Sequence, residues 1–291
     1  MLNRQLRLLL LLLHQLPQQN HHYLLLIRQH QPHDHGGCDD ADRDLARIHG
    51  VRRLAATPQP ADGGDVTQPN TDERTGDATL AVDVVSDLVC PWCFIGKRKL
   101  EVALADLART EPALNVTIRW HPFELNPGLP REGISRATYL AQKFGGAARA
   151  ADVYARVKHV GETVGIPFRF DAIERQPNTF DGHRLVAWAQ LRSDPSALVE
   201  RLFHAYFVEG RFIGDRDELV RIAAEAGLPA DDARAMLESD AMRQTIIDES
   251  RESADVGIQG VPFFIFNGRT AVSGAHDPPT LLEAIESSRR N

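Results

Sequence analysis

Two cysteines, Cys90 and Cys93, stand three positions apart with Pro91 and Trp92 between them. An apolar, valine-rich run ends just before the pair and an amphipathic segment follows it. This pattern predicts that the pair lies where a strand turns into a helix. The unpaired N–H groups and the dipole of a helix N-terminus stabilise a thiolate over a thiol. Cys90 is therefore the predicted nucleophile, and Cys93 is the predicted resolving thiol that closes the disulfide.

A zinc site is the alternative chemistry for such a pair, and it would need two further ligands. Cys38 is the one other cysteine in the sequence. It lies with His33 and His35 in the N-terminal leader, and no second Cys-x-x-Cys exists. The sequence therefore favours redox chemistry, with no metal and no cofactor beyond the redox-active disulfide itself, and with glutathione as the alternative cofactor.

Composition limits the partners. A quarter of the 291 residues are charged and the net charge is −7, which gives no electrostatic footprint for nucleic acid. Residues 1–77 hold a leucine run and a Gln/His tract. They are predicted to be a disordered or low-complexity leader without a role in the chemistry, with a targeting segment as the alternative. The leucine run is too short to span a bilayer, so no stable membrane insertion is expected.

Hydrophobic periodicity predicts one domain over residues 78–291. Residues 80–85 and 116–120 have the character of strands, and the helical segment between them completes a βαβ unit. From about residue 130 to 257 the apolar spacing is helical throughout. Residues 263–266 then return to strand character, and a hairpin and a final helix complete the chain. The basic cluster at residues 97–99 is predicted to be solvated, as is Trp92, which would offer apolar contact to a substrate.

Three motifs in this order resemble the FrnE-like branch of the DsbA family. They are Ser-Asp-x-x-Cys-Pro-Trp-Cys-Phe-Ile-Gly at residues 86–96, the segment 177–185 and the segment 257–264. Related proteins include the 2-hydroxychromene-2-carboxylate isomerases and the kappa-class glutathione transferases. The resemblance runs from about residue 78 to the C-terminus. It implies an α/β, thioredoxin-like fold with a large all-helical insertion.

The same resemblance implies a second wall for the site at Val261 and Pro262. In thioredoxin-like folds a cis-proline loop faces the redox pair, and the residue before the proline can pair with the backbone of a substrate. Val261 would be that residue here. The alternative is a trans-proline at an edge strand, where a missing N–H is tolerated.

Four polar residues are further candidates for the cleft or for proton transfer. The resemblance places Asn178, His183 and Arg184 between the helical insertion and the Cys90 turn. The alternative is a helix start at Thr179, followed by a solvated face. Asp87 is predicted to cap the turn, and proton transfer to or from the resolving cysteine is its alternative role.

These observations predict a thiol–disulfide oxidoreductase that acts on protein or small-molecule thiols and disulfides. Its direction of electron flow and its oligomeric state are left open. The alternatives are a glutathione-dependent isomerase or transferase for a small aromatic or polyketide substrate, and a non-catalytic binding module. Isomerases and kappa transferases of the branch usually carry serine where Cys90 stands, so the retained pair favours disulfide exchange. Because no disulfide framework is present, the cytoplasm is the predicted compartment, although the leader leaves export open.

Overall fold

A four-stranded mixed sheet forms the centre of the molecule, with strand order β2-β1-β5-β6. The computed structural model describes residues 79–290. Strand β1 (Thr79–Ser86) pairs in parallel with β2 (Asn115–Pro122) and antiparallel with β5 (Phe263–Phe266). Strand β6 (Thr270–Ser273) pairs antiparallel with β5. The predicted leader, residues 1–77, lies outside the described residues.

Two helices complete the thioredoxin-like part. Helix α1 (Pro91–Thr110) connects β1 to β2, and helix α9 (Pro278–Arg289) follows β6 and packs against α1. Pro91 occupies the first turn of α1, where a missing N–H costs nothing. The predicted element order and the α/β class are confirmed, because turn residues and periodicity encode them locally.

Seven helices and a small second sheet lie between β2 and β5 within the described residues. Strands β3 (Ile134–Ser135) and β4 (Arg175–Gln176) pair antiparallel. The prediction of helix throughout missed them, because two residues are too few to show alternation. The helices are α2 (Arg136–Phe144), α3 (Ala147–Thr163), α4 (Phe180–Gln190), α5 (Ser196–Phe207), α6 (Arg216–Glu225), α7 (Ala230–Glu238) and α8 (Arg243–Asp255).

Alternate residues of β1 serve two different clusters. Leu80, Val82 and Val84 belong to the main core, which α1, α5 and α9 complete. Val85 belongs to a second apolar cluster on the opposite face of the sheet, with Ile265 of β5. The sheet is therefore covered on both faces near the end of β1, and the turn that follows begins from a buried strand end.

Two predictions about exposed side chains were wrong. Lys97 is only 4 % exposed and pairs with Glu200 of α5 at 2.7 Å as well as with Glu101. Trp92 is half-buried and packs against the main core. The inserted helices cover this side of α1, and a local charge pattern carries no information about a segment that folds over it.

No helix within residues 79–290 combines the length and apolarity needed to cross a bilayer.

Candidate active site

The cysteine pair occupies the first turn of α1. Cys90 is the N-cap residue, and its backbone N–H donates to the carbonyl of Asp87 at 3.1 Å. The N–H of Cys93 donates to the carbonyl of Cys90 at 3.0 Å. Both side chains are free thiols and both are buried. The first turn of a helix therefore orients the two sulfurs, as the Cys-Pro-Trp-Cys spacing predicts.

A second loop, which leads directly into β5, faces Cys90. The Sγ of Cys90 lies 3.6 Å from the carbonyl oxygen of Val261, and the Val261–Pro262 peptide bond is cis. Gly96 makes this approach sterically feasible, because a Cβ at that position would lie 2.8 Å from the Cγ of Pro262. The structure thus brings together the two walls that the sequence places far apart.

Burial suits Cys93 to the resolving role. It raises the pKa of the Cys93 thiol well above its usual value, and the adjacent Cys90 side chain adds to the shift. The Ser86 hydroxyl and the Asp87 backbone act in the opposite direction. Cys93 therefore holds its proton at neutral pH, which suits a resolving thiol that attacks only after a mixed disulfide has formed.

Asp87 ties three segments together beneath this turn. It is fully buried, and its Oδ2 accepts from the N–H of Leu125 at 2.7 Å. Its Oδ1 accepts from the N–H of Val89 at 3.4 Å and lies 3.5 Å from the Nε2 of His183. Asp87 thus supports the turn locally, as its capping role requires. It also anchors the loop after β2, a contact that the sequence does not reveal.

A small cavity lies behind the cysteine turn. Two buried polar atoms at this cavity, Ser86 Oγ and His183 Nε2, have no hydrogen-bond partner within the described part of the chain. Such orphaned atoms are uncommon in a protein interior. The cavity is lined by Ser86, Leu88, Trp120, His121, Pro122, His183, Val186, Ala187 and Val199.

His121 lines the same cavity but is fully engaged. Its Nε2 lies 2.9 Å from Asp83 Oδ1, and its Nδ1 lies 3.4 Å from Glu249 Oε2 on α8. Burial disfavours the charged ring, but the two carboxylates outweigh it and hold the pKa of His121 at about 9. Asp83, the one charged residue in an apolar strand, thereby has its partner. His121 itself was not singled out from the sequence.

Arg184 and Asn178 are engaged in the scaffold. The Arg184 guanidinium is 2 % exposed and donates to Asp181 and to carbonyls that include Met236 in the last turn of α7. The expectation that it lies in the cleft is therefore corrected. Asn178 donates to the Leu129 carbonyl at 2.9 Å and accepts from the N–H of Phe180 at 3.0 Å.

Thr179 stands at the N-cap position of α4, as the alternative interpretation predicts. Its side chain makes no capping hydrogen bond, however, and the neighbouring asparagine takes that role. The solvated face expected after it is wrong, because His183 and Arg184 are both buried.

Three further polar residues near the site were missed. Burial raises the pKa of Tyr139 to about 12, with Cys90 among the charges that contribute. Burial also raises the pKa of Glu124, and Asp87 adds to that shift while His183 opposes it. Arg136 lies 5.1 Å from the centre of the Tyr139 ring. None of them stands in a motif that marks it in the sequence.

Within residues 79–290 no group of three or more His, Cys, Asp or Glu side chains is arranged to hold a metal ion.

A cysteine pair at a helix N-terminus, facing a cis-proline loop on a four-stranded mixed sheet, defines the thioredoxin-like class of protein. A model of the DSBA-like thioredoxin domain matches residues 81–286. The chain belongs to this family, as its three motifs predict.

Several known proteins resemble the chain. Protein YwbO of Bacillus subtilis (strain 168) is 28% identical over 219 residues, which cover 73% of this chain and 98% of that protein. The crystal structure of a probable DsbA oxidoreductase from Streptomyces coelicolor shares 30% identity and a TM-score of 0.65, covering 73% of this chain and 92% of that one. A 2-hydroxychromene-2-carboxylate isomerase has the same fold at 16% identity and a TM-score of 0.51, covering 71% of this chain and 94% of that one.

Proposed function

We propose that this protein is a thiol–disulfide oxidoreductase in which Cys90 is the nucleophile and Cys93 the resolving thiol. The observation that carries the proposal is the position of Cys90 at the start of α1, 3.6 Å from the Val261 carbonyl. The Val261 backbone lies beside the sulfur, where an extended substrate segment can pair with it.

The reaction proceeds in two exchanges. The Cys90 thiolate attacks one sulfur of a substrate disulfide and releases the other as a thiolate, which leaves a mixed disulfide. Cys93 then loses its proton and attacks Cys90, which releases the second substrate thiolate and closes the Cys90–Cys93 disulfide. Two electrons pass to the substrate. The reverse sequence oxidises a substrate dithiol, and the protein or small-molecule identity of the substrate is part of the proposal to be tested.

Reduction of insulin disulfides, coupled to a thiol, tests this proposal. We expect the wild-type protein to accelerate precipitation of the insulin B chain and Cys90→Ser to have no activity above the thiol alone. Cys93→Ser is the matched variant, because it keeps the nucleophile and should accumulate a mixed disulfide visible by mass spectrometry. Equal activity of the wild-type protein and Cys90→Ser would contradict the proposal.

A glutathione-dependent isomerase or transferase is the second candidate. Among the described residues, the buried Arg136 has no carboxylate partner: its Nη1 donates to Gln176 at 2.6 Å and its Nη2 to Tyr154 at 2.7 Å, and its Nε has no hydrogen-bond partner. It lies against Tyr139, close enough to the site for the charge of Cys90 to act on that tyrosine. A guanidinium without a paired acid can receive the carboxylate of a glutathione. Turnover of a small aromatic substrate that needs glutathione and survives Cys93→Ser would favour this candidate.

The proposal includes the compartment and the partners. Cys38 is the one cysteine outside the pair, so the chain lacks the disulfide framework typical of small exported proteins. We place the protein in the cytoplasm, where the pair would rest largely reduced, with thiols and disulfides as partners and no nucleic acid. Recovery of the tagged full chain with cytosolic markers is the expected result, and recovery from an exported fraction would contradict it.

A further inference from the structure

The resolving step poses a problem of proton transfer. Burial raises the pKa of Cys93 well above its usual value, so the attacking thiolate must be generated inside the protein. A buried thiol transfers its proton to a nearby acceptor more readily than to bulk water it does not touch. Cys93 is 2 % exposed, which leaves the groups behind it as the acceptors within reach.

Those groups lie around the small cavity behind the turn. The Ser86 hydroxyl lowers the pKa of the Cys93 thiol, although it makes no hydrogen bond of good geometry within the described residues, and it lines the cavity. The His183 side chain is 5 % exposed and lines the same cavity, and its Nε2 makes no hydrogen bond within the described residues. The cavity is of the size that holds one water, and two orphaned polar atoms are the partners such a water needs.

We propose that Ser86 and His183, bridged by a water in this cavity, carry the proton away from Cys93 during resolution. This inference rests on the proposed function and adds to it the route of the proton. Imidazole accepts and releases protons near neutral pH, which Ser86 does not. Ser86 therefore relays the proton through its hydroxyl, and His183 is the residue that accepts it through the water.

The Cys93 S–H bond breaks, its proton passes through the Ser86 hydroxyl and the water, and an N–H bond forms on His183. The Cys93 thiolate attacks the Cys90 sulfur of the mixed disulfide, the Cys90–Cys93 bond forms, and the bond from Cys90 to the substrate sulfur breaks. The substrate leaves as a thiolate and takes a proton from solvent, while His183 releases its own to solvent.

Several charged or titratable groups lie around His183. Asp87 Oδ1 lies 3.5 Å from the Nε2 of His183, and the charge of His183 influences the carboxyl of Glu124. His121 on β2 faces the same cavity, but its ring is engaged by carboxylates on both sides. These groups are Asp87 in the turn, Glu124 after β2, and His121 with its partners Asp83 and Glu249.

Stopped-flow mixing of the reduced full chain with an aromatic disulfide tests the route, because each exchange releases one coloured thiolate. The parent protein carries Cys38→Ser, so that two sulfurs remain. The first phase then reports attack by Cys90 and the second reports resolution by Cys93. Both phases are followed from pH 6 to pH 10.

For the parent protein we expect the second phase to level off near neutral pH, because an internal base supplies the thiolate. His183→Gln should leave the first phase unchanged and slow the second about tenfold or more at pH 7, with the difference vanishing towards pH 10 as hydroxide takes over. Ser86→Ala should show the same convergence. His121→Gln is the matched control from the same cavity and should leave the second phase unchanged.

Three results would overturn the inference. The first is a second phase of the parent protein that rises tenfold per pH unit up to pH 9, as expected for a thiol without an internal base, and this result needs no variant to fold. The second is an equal slowing of the second phase at every pH in His183→Gln. The third is equal slowing in His183→Gln and His121→Gln. Absence of the first phase in the parent protein would instead count against the proposed function itself.

Discussion

Two histidines line one cavity behind the cysteine turn, and their surroundings differ. His121 has a carboxylate at each ring nitrogen, whereas the Nε2 of His183 has no hydrogen bond within the described residues. A ring with a partner at each nitrogen is held in one protonation state and one position, so it contributes to stability. A ring with a free nitrogen can change its protonation state without breaking a contact. Polar groups that hold the fold therefore differ from those that are available for chemistry in whether all their polar atoms have partners.

The largest expected effect concerns Arg184, whose guanidinium has a hydrogen-bond partner at every nitrogen. Its guanidinium donates to Asp181 and to carbonyls at the end of α7, so Arg184→Met leaves several buried acceptors unpaired. We expect the free energy of unfolding to fall by about 3–5 kcal/mol, measured by urea denaturation.

Arg216→Met is the matched control, because Arg216 binds the same Asp181 from a position 40% exposed. We expect it to cost less than ~1 kcal/mol. Burial would raise the pKa of the Asp181 carboxyl, but the two arginines together hold it below its usual value. Only the buried Arg184 also binds the carbonyls at the end of α7. Equal losses in the two variants would contradict this distinction.

A smaller effect is expected for His121, as a change of stability with pH. Its pKa is about 9 in the folded protein and about 6.5 in an unfolded chain. The folded state therefore binds the proton more tightly. The stabilisation is complete below about pH 6.5 and is lost as the pH rises through about 9. We expect the stability difference between the wild type and His121→Gln to shrink by about 3 kcal/mol over this window. A difference that is constant from pH 6 to pH 10 would show that the ring is not charged.

Gly96 tests the contact between the two walls of the site. A Cβ there would lie 2.8 Å from Pro262 and 3.1 Å from Phe264, so Gly96→Ala must displace the loop that faces Cys90. We expect a loss of about 1–2 kcal/mol in stability and a ~10-fold slower disulfide exchange. Gly128→Ala is the control, since its Cβ would meet nothing within 4 Å. Unchanged exchange in Gly96→Ala would mean that the loop does not take part.

The smallest effect is expected at the start of α4. Asn178→Ala removes the acceptor for the N–H of Phe180 and should cost about 1 kcal/mol without changing disulfide exchange. Thr179→Val keeps the shape of a side chain that makes no capping bond, and should cost less than ~0.5 kcal/mol. Thermal denaturation of both variants measures the difference, and the reverse order would assign the cap to Thr179.

Much of the site was predictable because its signals are local. A Cys-x-x-Cys between a strand and an amphipathic helix places Cys90 and Cys93 on one helical turn whatever surrounds them. The hairpin after β5 was predictable for the same reason, since Asn267 and Gly268 both adopt the positive φ that the turn needs. The resemblance to the DsbA family then supplied the Val261–Pro262 wall, which no local pattern connects to the cysteines.

The sequence by itself therefore determined the redox pair, the order of the elements and the turn types, because neighbouring residues encode them. Only the tertiary structure decided which polar side chains find partners for all their polar atoms. Glu249 pairs with His121, and a carbonyl at the end of α7 accepts a hydrogen bond from Arg184. Both partners lie far along the chain from the residue that they contact. Lys97 is buried by an inserted helix. The same packing leaves the Nε2 of His183 next to Asp87 without a hydrogen bond to any of residues 79–290, since burial and pairing depend on which distant segments meet.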